Sequence, residues 1–248
     1  YNINAFFFMA LKIRLYFSNK IQSDLVSHLT QEQSHYVKDV MRLKKGDYLS
    51  VFNAQGEWSA IIENYEKEGA RIKILKKVRD KDNEKNIWLA FSPIKQNPLN
   101  FIIQKGTELG VQKFIPILSE RTIVKEINIT RVKKIIVEAS EQSNRISVPE
   151  IDNLETLKNF LSKFPKNGCL LFCDINCEKN NLKNILSKKI EEPICVLIGP
   201  EGDFSKIERK LIIDLNQTHP ISLAKNILRA ETAALSAITI VNYHLNLS

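Results

Sequence analysis

Two stretches late in the chain carry residue types that could do chemistry: Ile198-Gly199-Pro200-Glu201-Gly202-Asp203-Phe204-Ser205, and Leu223 through Ala233, which reads LAKNILRAETA. Each ends an apolar, strand-like run and leads into a helix-like one. Turns of this kind set backbone amides and carbonyls side by side at one edge of a sheet, where α/β proteins bind small ligands. Gly199 and Gly202 flank Pro200-Glu201, and a residue without Cβ lets the backbone approach a ligand or take positive φ. The spacing is not G-x-x-x-x-G-K-[ST], so a triphosphate cradle is not supported, and it is not G-x-G-x-x-G. A tight strand–helix turn with glycines for geometry is the plain competitor. Cys169, Cys173 and Cys177 fall at four-residue intervals, with Cys195 apart. An iron–sulfur motif of the C-x3-C-x2-C type needs a closer final pair. CLLFCD reads as a buried strand, so these thiols are read as small core residues. Neither a metal site nor a disulfide framework is expected.

The elements that must position these residues fall into two patterns. Up to about Val78, short runs alternate in period two: Leu11 to Phe17, Tyr48 to Phe52, Trp58 to Tyr65 and Ala70 to Leu75. Turns are expected at Lys45-Gly46-Asp47, Asn53 to Glu57 and Gly69, and one helix-like insert spans Gln31 to Met41. This predicts a small β-barrel over residues 12–78. The charged run Arg79 to Lys85 reads as a solvated linker, placed at 79–86. From residue 87 to 248, strands alternate with helices. Strands are expected at Ile87 to Phe91, Phe114 to Leu118, Cys169 to Cys173, Ile194 to Ile198 and Pro220 to Leu223. An Asn97-capped helix has Pro98 as its first residue and Gly110 as its stop. Ile129, Val132, Ile136 and Ala139 share one helix face. A polar helix is expected near Leu182 to Lys189, a capping box at Ser205 and Glu208, and a long helix over Leu228 to Leu245. Such alternation implies a parallel sheet covered on both faces.

The 248 residues suffice for one large or two smaller domains. A formal charge of +8 favours a polyanionic partner, because lysines and arginines displace counterions from phosphates; a solvated basic surface is the bland alternative. Residues 1–11 are read as a disordered or non-native extension, with Met9 as the natural start. They lack the positive n-region and cleavage site of a secretory signal. No apolar run approaches the roughly 20 residues that span a bilayer. A cytoplasmic protein with no membrane association is expected.

Five ordered blocks carry a resemblance: Glu108 to Val111 (ELGV), Ser119 to Thr122 (SERT), Glu138 to Arg145 (EASEQSNR) with Val148-Pro149, IGPEGDFS, and Ile227 to Ala233 (ILRAETA). With His35, Arg42 and Lys45-Gly46-Asp47 upstream, the chain resembles the 16S ribosomal RNA uracil-N3 methyltransferases of the SPOUT class, from about residue 12 to its end. The resemblance implies an N-terminal PUA-like β-barrel for RNA contact and a C-terminal α/β domain with a trefoil knot. It also implies S-adenosyl-L-methionine (AdoMet) as cofactor, with S-adenosyl-L-homocysteine as product, and a homodimer acting on 16S rRNA or the assembled small ribosomal subunit. Carried over by position, the cofactor pocket comprises Leu171 and Phe172; Gly199, Glu201 and Gly202; and Leu223, Ala224, Ile227, Leu228 and Arg229. RNA contacts are expected from Arg14, His35, Arg42, Lys44 and Lys45 on the barrel, and from Arg121 and Arg145 near the pocket. Two departures stand out. Ala224-Lys225-Asn226 replaces the usual Gly-Pro-Arg after Leu223, and Asp203 replaces the second glycine of the common GPEGG pattern. If that first glycine supplies positive φ, Ala224 costs roughly 1 kcal/mol or forces a different loop.

The chemistry needs few protein groups, since the cofactor carries the methyl. Uracil N3 is a weakly acidic imide that must lose its proton, so a carboxylate or an anion-stabilising cation serves. The expectation is that Arg229 or Arg145 stabilises the anion and Glu201 or Glu231 handles the proton. For Glu231, a charge favoured by a helix N-terminus competes. Two other readings remain open: a SPOUT ribose 2′-O-methyltransferase on rRNA or tRNA, and a non-catalytic RNA-binding scaffold.

Overall fold

The computed structural model describes residues 13–81, 83–177, 182, 185 and 192–247. The expected N-terminal extension, and all but two positions of the expected helix near 182–189, lie outside them. The chain divides into two units: one runs up to Asn83 and includes Ser140–Val148, and the other holds Glu84–Ala139 and everything from Pro149 onward.

The first unit is a five-stranded sheet with a helical insert. Its elements are β1 (Arg14–Tyr16), β2 (Val26–His28), α1 (Gln31–His35) running into a π-helical turn at Tyr36–Val40, β3 (Tyr48–Asn53), β4 (Gly56–Glu66) and β5 (Gly69–Asp80). The strand order is β1-β3-β4-β5-β2, with β1 parallel to β3 and the other pairs antiparallel. The period-two runs place Leu15, Leu49, Val51, Ala60, Ile62, Ile72 and Ile74 in one core with Leu29 and Val37. Thr30 and Gln33 form a capping box that starts α1. Gly69, at φ +135°, makes the β4–β5 turn; a Cβ there would lie 2.5 Å from the Leu29 carbonyl oxygen, so no other residue fits. Strand β5 continues through Arg79 and Asp80, into the run expected to be linker.

The second unit contains β6 (Ile87–Phe91), α2 (Gln96–Glu108), β7 (Lys113–Leu118), α3 (Ile129–Gln142, its last turn grouping with the first unit), β8 (Glu150–Ile151), β9 (Glu155–Thr156), α4 (Leu157–Lys163), β10 (Cys169–Cys173), β11 (Ile194–Ile198), α5 (Lys206–Ile213), β12 (Thr218–Ile221) and α6 (Ala230–Leu247). All its strand pairs are parallel, in the order β12-β10-β11-β6-β7-β8, with β9 also on β7. One sheet face buries Ala90, Leu170, Phe172, Cys195 and Leu197 with Phe160 of α4 and Ile212 of α5. On α6, Ala234, Ala237, Ile238 and Val241 are fully buried, and α6 packs on α2 and β11. Helix α2 begins two residues before its expected start, with Lys95 rather than Asn97 at the cap. The Leu99 amide donates to the Lys95 carbonyl at 3.0 Å. Pro98 is still accommodated, because amides of a first turn have no intrahelical acceptor to lose.

Arg14 lies inside the first unit, not on its surface. Its side chain is 10% exposed and pairs with Glu57 at 2.9 Å. It also donates to the carbonyls of Ser140 (3.2 Å), Glu141 (2.9 Å) and Arg145 (2.8 Å), and lies 4.4 Å over the Phe52 ring. Ser50 Oγ donates to Glu57 at 2.5 Å. The expected RNA contact at Arg14 is therefore corrected: the guanidinium caps the carboxyl end of α3 and neutralises a buried carboxylate.

Candidate active site

Parallel strands bring their carboxyl ends to one edge, and the register aligns them here. Ile198 pairs with Phe91, Leu197 with Phe172, and Cys173 with Ile221. The loops after β6, β10, β11 and β12 thus leave from a common rim. At that rim lies a cleft of about 570 Å³ whose walls include Lys95, Cys173, Ile175, Gly199, Glu201, Asp203, Ile227, Leu228, Arg229 and Glu231. A smaller cavity of about 90 Å³ beside it adds Leu223 and Ala224 and shares Cys173, Ile175, Ile227 and Leu228.

The glycine-rich loop is held from several directions. Gly199 meets not open space but the Phe204 ring: a Cβ there would lie 2.9 Å from it. Phe204 in turn packs edge-on against Phe172, with centroids 5.6 Å apart. Arg121 donates to the Gly202 carbonyl at 2.8 Å. Asp203 takes φ +60°. It accepts from the Phe204 amide at 2.8 Å and from Asn176 Nδ2 at 3.2 Å, local bonding that makes aspartate tolerable in the left-handed region. The capping box of Ser205 and Glu208 is present, and Glu208 also accepts from the Glu120 amide at 2.8 Å. The loop after β10 is pinned by Asp174, buried and paired with Arg209 at 2.7 Å.

The structure brings together Gly199, Glu201, Ile227, Leu228, Arg229 and Glu231 on the main cleft, with Leu223 and Ala224 next to it. Ala224 is not among the residues with positive φ, so no left-handed strain arises there. Leu171 and Phe172 are fully buried within β10; the residue that reaches the cleft is the next one, Cys173. Gly202 does not line it. Arg145 belongs to the first unit, where it is buried and donates to Ser147 at 2.8 Å. His35, Arg42, Lys44 and Lys45 are exposed on the first unit, His35 paired with Asp39 at 2.7 Å. Sequence reasoning missed Lys95, Pro98, Cys173, Ile175 and Ala230. The signal for Lys95 was its place just past the end of the first strand of the sheet.

Burial pushes the Cys169 thiol up to about 11 and that of Cys173 to about 12, and Cys195 is also raised. None of the three is poised as a thiolate nucleophile near neutral pH. Outside the cleft, His28, Glu66 and Glu68 bring donor atoms within 4.8 Å of one another. Two members of this cluster have protein partners: His28 and Glu66 are hydrogen-bonded at 2.9 Å, and Arg71 lies 3.6 Å from Glu66. Among the described residues, no helix is long and apolar enough to cross a membrane.

A large crevice at the carboxyl rim of a parallel sheet, walled by two tight loops, defines an α/β protein built to hold a small molecule. Residues 81–242 match the family described as RNA methyltransferase domain, and residues 29–75 match the RNA methyltransferase PUA domain. The chain belongs to this family of RNA methyltransferases. It is 34% identical over 228 residues to the ribosomal RNA small subunit methyltransferase E of Rickettsia conorii, covering 91% of this chain and 93% of the relative. The protein of that name from Buchnera aphidicola subsp. Schizaphis graminum is 33% identical, covering 91% and 94%. Among solved structures, the ribosomal RNA small subunit methyltransferase E of Neisseria gonorrhoeae bound to S-adenosyl methionine superposes with a TM-score of 0.83 at 29% identity, covering 93% and 97%.

Proposed function

We propose that the chain transfers a methyl group from AdoMet to N3 of a uridine in small-subunit (16S) ribosomal RNA, acting in the cytoplasm as a homodimer. The observation that carries this reading is the convergence of three separate segments on one cleft: Cys173 and Ile175, Gly199 and Glu201, and Ile227 through Glu231. Its volume lies in the range of small-molecule sites. Ile175, Ile198 and Leu228 offer apolar surface to an adenosine, and the acidic side chains of Glu201, Asp203 and Glu231 suit a cationic donor. When bound, AdoMet supplies an activated methyl on a sulfonium.

The protein's own residues orient and neutralise. Glu201, on the cleft wall, accepts the proton that uracil N3 must lose before or during attack. Arg229 stabilises the developing anion. Arg229 is favoured over Arg145 because it lines the cleft; Glu231 sits in the first turn of α6, where a helix N-terminus favours negative charge. Uracil N3 is on the pairing edge, so the base must be unpaired or flipped out. The trefoil knot follows from the family resemblance and is part of this reading. Self-association is supported by Ile240 and Tyr243 of α6, 38% and 68% exposed, and sedimentation measures it.

The deciding experiment is mass spectrometry of small-subunit rRNA from cells lacking the protein, with loss of one N3-methyluridine expected. Loss of a ribose methylation instead, or no change, overturns the assignment. Glu201→Gln is expected to lower turnover far more than AdoMet binding. An unchanged single-turnover rate removes Glu201 from the mechanism.

A further inference from the structure

The loop after β10 carries an isoleucine that is anchored on both sides. Ile175 is 60% exposed and lines both the large cleft and the smaller cavity beside it. One exposed isoleucine is ordinary, but its two neighbours in the chain are each tied to a different element. On one side, the Asp174 carboxylate is buried. Its Oδ2 accepts from Arg209 of α5, through Nη2 at 2.7 Å and Nε at 3.0 Å. The Asp174 amide donates to the Ile221 carbonyl at the end of β12, at 3.0 Å. On the other side, Asn176 Nδ2 donates to Asp203 Oδ2 at 3.2 Å, and the Asn176 amide donates to Asp174 Oδ1 at 2.9 Å. Asp203 belongs to the glycine-rich loop and lines the cleft. Arg209 faces both carboxylates: the hydrogen bond to Asp174 raises its pKa most, and the charges of Asp174 and Asp203 add to this. The backbone of Ile175 is thus fixed between α5 and the glycine-rich loop.

We propose that Asn176 and Arg209 are positioning residues for the cofactor: they hold Ile175 against the adenosine part of AdoMet, so that this apolar wall is in place before the donor arrives. This deepens the methyl-transfer reading above and rests on its placing AdoMet in the large cleft. A wall that is already ordered spares the ligand the entropy of fixing a loop, and affinity rises by that amount. Asp203 gains a role at the same time. The carboxylate that stands where GPEGG has its second glycine is the acceptor for Asn176, which a glycine has no side chain to provide. Residues that act through Ile175 affect donor binding and leave the chemical step alone. They also treat AdoMet and S-adenosyl-L-homocysteine alike, because both carry the adenosine. A carboxylate that read the sulfonium charge would separate the two.

The test uses the full chain with Asn176→Ala, Ile175→Ala, their double variant and Arg209→Lys. Asn176 is exposed, so Asn176→Ala is expected to keep the parental urea midpoint. In calorimetry it should weaken AdoMet and S-adenosyl-L-homocysteine alike by about fivefold, the loss of one surface hydrogen bond to a charged group. Arg209→Lys keeps a cation beside Asp174 but not the paired N–H donors, and should weaken both ligands by about threefold. With unmethylated small ribosomal subunits as substrate, KM for AdoMet should rise by the same factors while kcat at saturating AdoMet stays within about twofold. In the Ile175→Ala background, Asn176→Ala should cost less than about twofold, because the side chain it positions is gone. Additive losses in that cycle, parental AdoMet affinity in Asn176→Ala or Arg209→Lys, a loss confined to AdoMet, or a lowered urea midpoint in Asn176→Ala overturns the proposal. If the parent binds AdoMet but methylates a position other than uridine N3, the methyl-transfer reading fails, and the binding cycle still judges the positioning. If the parent binds no AdoMet, both fall.

Discussion

At the scale of single residues, the glycine-rich loop owes its form to side chains more than to flexibility. Gly199 is required because the Phe204 ring occupies the space a Cβ would need, 2.9 Å away. Phe204 is buried and packs against Phe172, so it cannot retreat freely. Gly199→Ala should destabilise the protein by about 1–3 kcal/mol, as small-to-large changes in packed sites do, and should weaken AdoMet binding through displacement of the loop. Urea denaturation alongside calorimetry checks both; a variant with parental stability and affinity contradicts the account. Asp203 teaches the converse. Its sequence position looked like a lost glycine, yet the carboxylate bonds to the Phe204 amide and to Asn176, about 27 positions earlier. That compensation was invisible in the sequence because it joins two loops brought together only by the sheet. Glu201, Arg229 and Glu231 were legible, since each lies inside a motif that leaves a strand end.

At the scale of elements, the buried parallel strands were the most readable. Ile87–Phe91, Cys169–Cys173 and Ile194–Ile198 are continuous apolar runs because both faces of the sheet are covered. Strands β2, β8 and β9, of two or three residues, are too short for any periodicity to register. The helix cap at Lys95 was missed because Asn97 has the better capping chemistry, yet the backbone turns two residues sooner. Arg14 was misread for a related reason: an arginine on an alternating strand looks exposed until Glu57 and the end of α3 are known to face it. Removing Arg14 leaves the Glu57 carboxylate only its longer ionic contact with Arg79 at 3.8 Å, and breaking a buried pair typically costs up to about 3–5 kcal/mol. Arg14→Met is therefore expected to lower the urea midpoint sharply. The double variant Arg14→Met, Glu57→Gln should recover part of the loss, because no lone charge remains buried. An Arg14→Met protein as stable as the parent excludes the structural role.

At the scale of the whole molecule, the net charge of +8 is read through the cations that stay exposed. Arg42, Lys44 and Lys45 remain on the surface of the first unit while Arg14 and Arg145 do not, so the number of phosphate contacts available there is smaller than composition suggests. Neutralising all three to glutamine should reduce the salt slope of single-stranded RNA binding by about 2, from roughly 0.7 per contact. Equal slopes for parent and variant would mean that these residues are merely solvated.

The grouping of Ser140–Val148 with the first unit has a practical corollary. The polypeptide passes from one unit to the other three times, so no single cut releases either as an intact piece. A fragment ending at Asn83 keeps every strand of its sheet and the Arg14–Glu57 pair but surrenders the three carbonyls that Arg14 grips, leaving guanidinium donors without acceptors. Evolution could not have shuffled this barrel onto another enzyme by simple end-to-end fusion without carrying a stitch of its neighbour along.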